Sequence, residues 1–223
     1  SRLTRYEYDD EGRLTRKSSP LGRVETFAHD AAGNVTQYTT SKGETWSFAY
    51  NDLNLPTTLT APDGDVVERY AYDEDGNLTS TTYGDGSRTT STYDVNGRTL
   101  TATDGFGTTS YTYDDGGRVT ATLDPAGETT RYTYNAAGEV SSLENPAGEL
   151  TRYELDGLGN LTAVVAPDGS RQRFTYDDYG RLVSAADRAD HATTYRYDAV
   201  GRLAAVVEPS GQTTTYEYDE DGN

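Results

Sequence analysis

The sequence predicts an all-β chain, a meander of antiparallel hairpins forming a curved single-layer strip, and three observations carry that prediction. One motif recurs every 21 residues, and each period holds two turns closed by glycine. Only six or seven residues separate one turn from the next, which suits strands and leaves no room for helices.

The motif is Tyr-Asp-x-x-Gly-(Arg/Asn)-(Leu/Val). It starts at Tyr8, Tyr72, Tyr113, Tyr176, Tyr197 and Tyr218, with looser copies from His29, Tyr50, Tyr93, Tyr134 and Leu155. A second turn follows ten residues after the first glycine, as in Gly12 to Gly22, Gly97 to Gly107 and Gly201 to Gly211. Two periods keep this spacing with one glycine replaced, by Asn54 in one and by Asp190 in the other. Asn and Asp are the residues that best tolerate a left-handed backbone after Gly, so the replacements identify positive φ as the requirement.

Turn chemistry agrees. Asp73 precedes Gly76 by three residues and Asp124 precedes Gly127 by three, with Pro125 between them in the second case. Asp at i, Pro at i+1 and Gly at i+3 mark a type I turn closed by a left-handed glycine, the three-residue hairpin connection. Pro62, Pro146, Pro167 and Pro209 take the same i+1 place. The connection sets a register in which Asp9 faces Arg13 and Tyr8 faces Leu14, and likewise Asp198 faces Arg202 and Tyr197 faces Leu203. Each hairpin end thus carries a charge pair on one side and an aromatic–aliphatic pair on the other, each worth about 0.2–1 kcal/mol.

Segments after the glycines, such as Thr79-Ser80-Thr81-Thr82, are rich in Thr and Ser on both faces, so neither face suits a sandwich interior. About 21 strands at ~4.8 Å would make a strip ~100 Å long, which twist would curl. Two periods are irregular. Gly64 to Tyr72 is one residue longer than the usual seven and Gly107 to Tyr113 one shorter. An extra residue flips every following side chain unless it is absorbed locally. A β-bulge is therefore expected within 65–71 and a tightened or shifted turn within 104–111, with positive φ at Asn54 and a weak rung at Pro56 opposite Tyr50.

Composition narrows the function classes. The 16 Leu, 13 Val and 4 Phe, with no Ile, are about 15% of the chain, and net charge is −18. That range is typical of disordered chains, but the 19 Tyr and 23 Gly are in register. No apolar run reaches the ~20 residues of a membrane helix. The absence of Cys excludes disulfides, zinc-thiolate sites and thiol nucleophiles. Two lysines, Lys17 and Lys42, among 37 carboxylates argue against nucleic acid and anionic membranes as partners.

The repeated strings, above all Tyr72 to Leu78 and Tyr197 to Leu203, resemble the YD repeats of the Rhs family, which includes bacterial polymorphic toxins, the encapsulating component of insecticidal Tc toxins and the teneurin receptors. The resemblance covers the whole chain, so residues 1–223 read as one array, a section of a longer repeat region. It implies a β-strip spiralling into a hollow shell that encloses a C-terminal toxin domain, with the remaining repeats as partners and a secreted or cell-surface location. The alternative is an adhesion module that binds glycans or surface proteins.

Catalysis and metal binding are not expected: no catalytic, cofactor or metal residue is assigned. The aspartates compose the repeat rather than break it. Asp124-Pro125-Ala126-Gly127 is similar to the self-cleaving region that closes toxin shells, but it sits in register as an ordinary second turn. Asp73-x-Asp75-x-Asn77 and Asp219-x-Asp221-x-Asn223 imitate the start of a calcium loop, but Gly84 stands where the first would need its bidentate acid. His29 reads as an aromatic spacer, and His191 follows a variant turn. Trp46, Phe48 and Tyr50 share a face and fit a cross-strand cluster, or a sugar-stacking row under the adhesive reading. Asn34-Val35-Thr36, Asn77-Leu78-Thr79 and Asn160-Leu161-Thr162 match the glycosylation triplet through the repeat consensus.

Overall fold

The computed structural model describes residues 3–219 and Gly222. Among them are 21 strands and no helix. The Asp219-x-Asp221-x-Asn223 string therefore lies partly outside the described residues. Two compact units divide the chain, one up to Tyr111 and one from Thr112 onward, and each is treated by itself.

In the first unit the strands are β1 (Arg5–Tyr8), β2 (Leu14–Ser18), β3 (Val24–His29), β4 (Val35–Thr39) and β5 (Thr45–Tyr50). They continue with β6 (Pro56–Thr60), β7 (Val66–Tyr72), β8 (Leu78–Tyr83), β9 (Arg88–Tyr93) and β10 (Thr99–Asp104). β11 (Gly107–Tyr113) begins here and runs past Tyr111. Every strand pairs antiparallel with its chain neighbour, as connections this short require.

The second unit holds β12 (Val119–Leu123), β13 (Thr129–Tyr134), β14 (Val140–Glu144), β15 (Leu150–Leu155) and β16 (Leu161–Val165). After these come β17 (Arg171–Tyr176), β18 (Leu182–Ala186), β19 (Ala192–Tyr197), β20 (Leu203–Val207) and β21 (Thr213–Thr215). From β12 to β21 the pairing again follows chain order.

The turns form as their sequence predicts. In the first, the Asp9 N–H donates to the Arg13 carbonyl and the Gly12 N–H to the Asp9 carbonyl, both at 3.0 Å. Gly12 has φ of 80°, and the two replacements, Asn54 and Asp190, have φ of 60° and 63°. Tyr8 pairs with Leu14 and Tyr197 with Leu203, as the loop length demands.

Both irregular periods are absorbed locally. Thr60 pairs with Val66 and Leu59 with Glu68, which leaves Val67 as the bulged residue on β7. The carbonyl of Val67 accepts the Gly84 N–H at 2.7 Å, so the bulge strands no acceptor there. In the short period Asp104 pairs directly with Gly107, so the three-residue loop has contracted to Gly105 and Phe106. Pro56 sits opposite Tyr50.

Neither unit has a core of large side chains. Among the described residues the buried apolar side chains are Ala163, Val165, Ala166 and Ala205, all in the second unit, while the first unit buries the polar Ser80 and Thr81. Among the described residues no large side chain is fully buried.

Candidate functional site

The feature that recurs along the chain is the Tyr-Asp hairpin end, with His29 and Leu155 in the tyrosine's place in two periods and Asn51 and Asn135 in the aspartate's place in two others. Its aspartate carboxylate holds the loop through two oxygens. Oδ1 of Asp198 accepts the backbone N–H groups of Val200 at 3.0 Å and Arg202 at 2.8 Å, while Oδ2 accepts Arg202 Nε at 2.7 Å. Asp9 with Arg13, Asp177 with Arg181 and Asp114 with Arg118 repeat this arrangement. Where Asn replaces Arg the amide takes the same oxygen, as Asn34 does on Asp30 at 2.9 Å and Asn160 on Asp156 at 3.0 Å. These bonds hold the carboxylates below their usual range: the Asn77 amide is the largest cause at Asp73, the Arg202 guanidinium at Asp198 and the Arg118 backbone N–H at Asp114.

Seven tyrosines of the motif, Tyr50, Tyr72, Tyr93, Tyr134, Tyr176, Tyr197 and Tyr218, then reach back to the preceding period. The Tyr197 hydroxyl donates to the Leu182 carbonyl at 2.8 Å, Tyr218 to Leu203 at 2.8 Å and Tyr176 to Leu161 at 3.0 Å. Tyr134 bonds Val119 at 2.5 Å in the same way, and in the first unit Tyr50 bonds Val35 at 2.9 Å and Tyr93 bonds Leu78 at 2.7 Å. The geometry explains why. At this end the ladder between β4 and β5 runs only over residues 37–39 of β4, so Val35 lies beyond the last rung. The phenol occupies the splay and supplies the donor that the neighbouring strand no longer provides.

Cations link successive periods too. Arg118 lies over the Tyr134 ring at 4.7 Å, Arg181 over Tyr197 at 4.7 Å and Arg202 over Tyr218 at 4.5 Å. Arg13 Nη1 also donates to the Asp30 carbonyl at 2.9 Å. The register slips by one residue just before Tyr8, Tyr72 and Leu155, and a threonine covers each of these slips: the Thr15, Thr79 and Thr162 hydroxyls donate to the Glu7, Ala71 and Glu154 carbonyls at 3.1, 3.1 and 3.0 Å. Neither the tyrosine tether nor the threonine cover was read from the sequence, although the recurrent Leu-Thr and Val-Thr steps were its visible signal. The same bonds account for the glycosylation-like triplets, whose Asn serves the turn and whose Thr serves the slip.

Two periods depart from the pattern. In the first unit His29 replaces the tyrosine, and its Nδ1 is buried without a hydrogen-bond partner. In the second unit Leu155 replaces it, and Glu139 stands where the guanidinium would be, its carboxylate accepting the Asn135 amide at 2.9 Å. A groove of about 350 Å³ opens there, lined by Tyr132, Val140, Leu143, Tyr153, Leu155 and Leu161, with Glu139 as its charged side chain.

The other residues singled out from the sequence are accounted for by structure. Asp124 Oδ1 accepts the Ala126 and Glu128 N–H groups at 2.9 and 2.8 Å, the bonding of an ordinary turn. Asp73 Oδ1 likewise accepts Asp75 and Asn77 N–H groups. His191 Nδ1 lies 3.2 Å from Asp187 Oδ2 at an exposed turn. Trp46 is half-buried opposite Tyr38, which stacks on Phe27 with ring centroids 5.1 Å apart, so the cross-strand cluster is the arrangement present. Among the described residues no three His, Cys, Asp or Glu side chains converge as a metal site, and no helix is long and apolar enough to cross a membrane.

Two outcomes follow. Tyr197→Phe removes the bond to Leu182 while keeping the ring, and is expected to lower stability in urea unfolding by about 1 kcal/mol; no change would contradict a tethering role. Because the turn carboxylates are depressed in the folded state, their stabilisation is complete above the unfolded value of about 3.9 and is lost as pH falls through the folded values. Thermal unfolding midpoints should therefore stay level from pH 7 to about pH 5 and fall below about pH 4. A midpoint that is flat to pH 2 would contradict this.

Family models match the same pattern. The RHS Repeat model matches residues 8–45, 29–67, 50–88, 176–209 and 197–223, together more than half of the chain. The Teneurin YD-shell model matches residues 80–175. No curated protein matches the chain. Among solved structures, TcdB2-TccC3 is 16% identical with a TM-score of 0.36, over 99% of this chain and 20% of that one. The Photorhabdus luminescens Tc holotoxin pore is 17% identical with a TM-score of 0.38, over 96% of this chain and 18% of that one. A porin-like protein from Bacteroides uniformis is 17% identical with a TM-score of 0.31, over 86% of this chain and 91% of that one. The chain thus spans about a fifth of the length of the Tc toxin chain first named. With Tyr-Asp hairpins repeated in register and the family model matched over more than half its length, the chain belongs to the RHS repeat family.

Proposed function

We propose that this chain is a section of wall: its work is to exclude and scaffold, not to catalyse, and in the whole protein it helps enclose a toxin or other effector domain outside the producing cell. The observation that supports this most is where the side-chain chemistry goes. In the regular periods aspartate and threonine are spent on closing their own hairpin, and tyrosine and arginine on holding it to its neighbours. A wall needs such continuity, since every rung must resist opening, whereas an active site needs polar groups left free to converge on a substrate. The match to a shell family model points the same way.

The full-length protein containing these repeats tests the reading. After mild proteolysis, the domain following the repeats should stay protected while the shell is intact and become toxic to target cells once the shell is opened. Immediate cleavage of that domain, with strong glycan-array binding that Trp46→Ala abolishes, would overturn the wall in favour of an adhesin.

A further inference from the structure

We infer that the groove beside Leu155 is a binding site for a phenolic ring that carries its own positive charge. This goes beyond the wall reading and does not depend on it. The other periods show what the place is shaped to hold. At Tyr134, Tyr176, Tyr197 and Tyr218 a phenol fills it and donates to the carbonyl fifteen residues earlier. The matching carbonyl at Leu155 is that of Val140, and leucine has no hydroxyl to offer it.

The cation is missing as well. Arg118, Arg181 and Arg202 each lie over the ring of the following period, but Glu139 takes that position before Leu155. A ring and a guanidinium have been replaced together by an aliphatic side chain and a carboxylate. What remains is an apolar groove of about 350 Å³ with Val140 and one negative charge in its lining, and the repeat register assigns the Val140 carbonyl the acceptor's part. For comparison, an apolar cavity of about 150 Å³ takes up a benzene ring. The complement of this lining is an aromatic ring for the walls, a hydroxyl for Val140 and a cation for Glu139. A neutral phenol would satisfy only two of the three.

Tyramine titrated into the 223-residue chain in physiological salt is the direct probe, read by amide chemical shifts. Saturable shifts at Val140, Leu155 and Leu161 are expected. Phenethylamine, without the hydroxyl, and 4-methylphenol, without the ammonium, should each bind about threefold to fivefold more weakly. Glu139→Gln should weaken tyramine about threefold and leave 4-methylphenol within about twofold. Leu155→Tyr, which installs the ring of the other periods, should weaken tyramine at least about tenfold, and Leu155→Phe, which fills the groove without a new hydroxyl, should do the same. A capped tyrosyl-lysine dipeptide distinguishes the sources: binding equal to tyramine assigns the site to neighbouring side chains of a polypeptide, and absence of binding assigns it to free aromatic amines, either in support. No saturable shift, or tyramine binding unaltered in both filled variants and hence mere attraction to an acidic surface, would overturn the site.

Discussion

At the first turn of most periods this fold depends on a carboxylate held against the backbone of a tight turn that a left-handed residue closes. Asp198 fixes the N–H of Arg202 with one oxygen and its guanidinium with the other, while Gly201 closes the loop at φ of 90°. The pinned loop has one length, and one length permits one register. That register places Tyr197 opposite Leu203, which in turn sets the Leu203 carbonyl where the Tyr218 hydroxyl of the next period finds it. Slipping any loop by a residue would break the tether on both sides of it.

Such a chain is stabilised differently from an ordinary domain. Its buried apolar side chains are small, three of the four being alanines, and its faces carry threonine and serine. Backbone ladders, cross-strand pairs and bonds between neighbouring periods therefore take the share that a large core would supply. Each bond contributes about 1 kcal/mol or less, and the sum grows with the number of periods because each period touches only its neighbours.

Much of this was legible in the sequence because turns are written in local chemistry. The Asp-to-Gly spacing, and the replacement of Gly by Asn54 and Asp190, announced positive φ without any knowledge of neighbours. A bulge within 65–71 and a tightened turn within 104–111 were legible for a related reason: strand side chains alternate, so a single inserted or deleted residue must be absorbed nearby. The tyrosine tether was not legible, since it depends on how far adjacent strands splay beyond their last rung, and spacing along one strand does not encode that. The threonine cover was hidden likewise, because a slip in register has no meaning until two strands are laid together. Leu155 was visible as a looser copy of the motif, but its connection to Glu139 required the arginine of one period to be seen over the tyrosine of the next.

The central claim is that pins and tethers hold this chain without the burial of a large apolar core. The heat-capacity change of unfolding measures that burial, since it scales with apolar surface exposed. Differential scanning calorimetry of the 223-residue chain should give a value well below the about 3 kcal/mol/K that ordinary globular proportions imply for this length. A value at or above that figure would mean that a large apolar surface is buried after all, and would contradict the account.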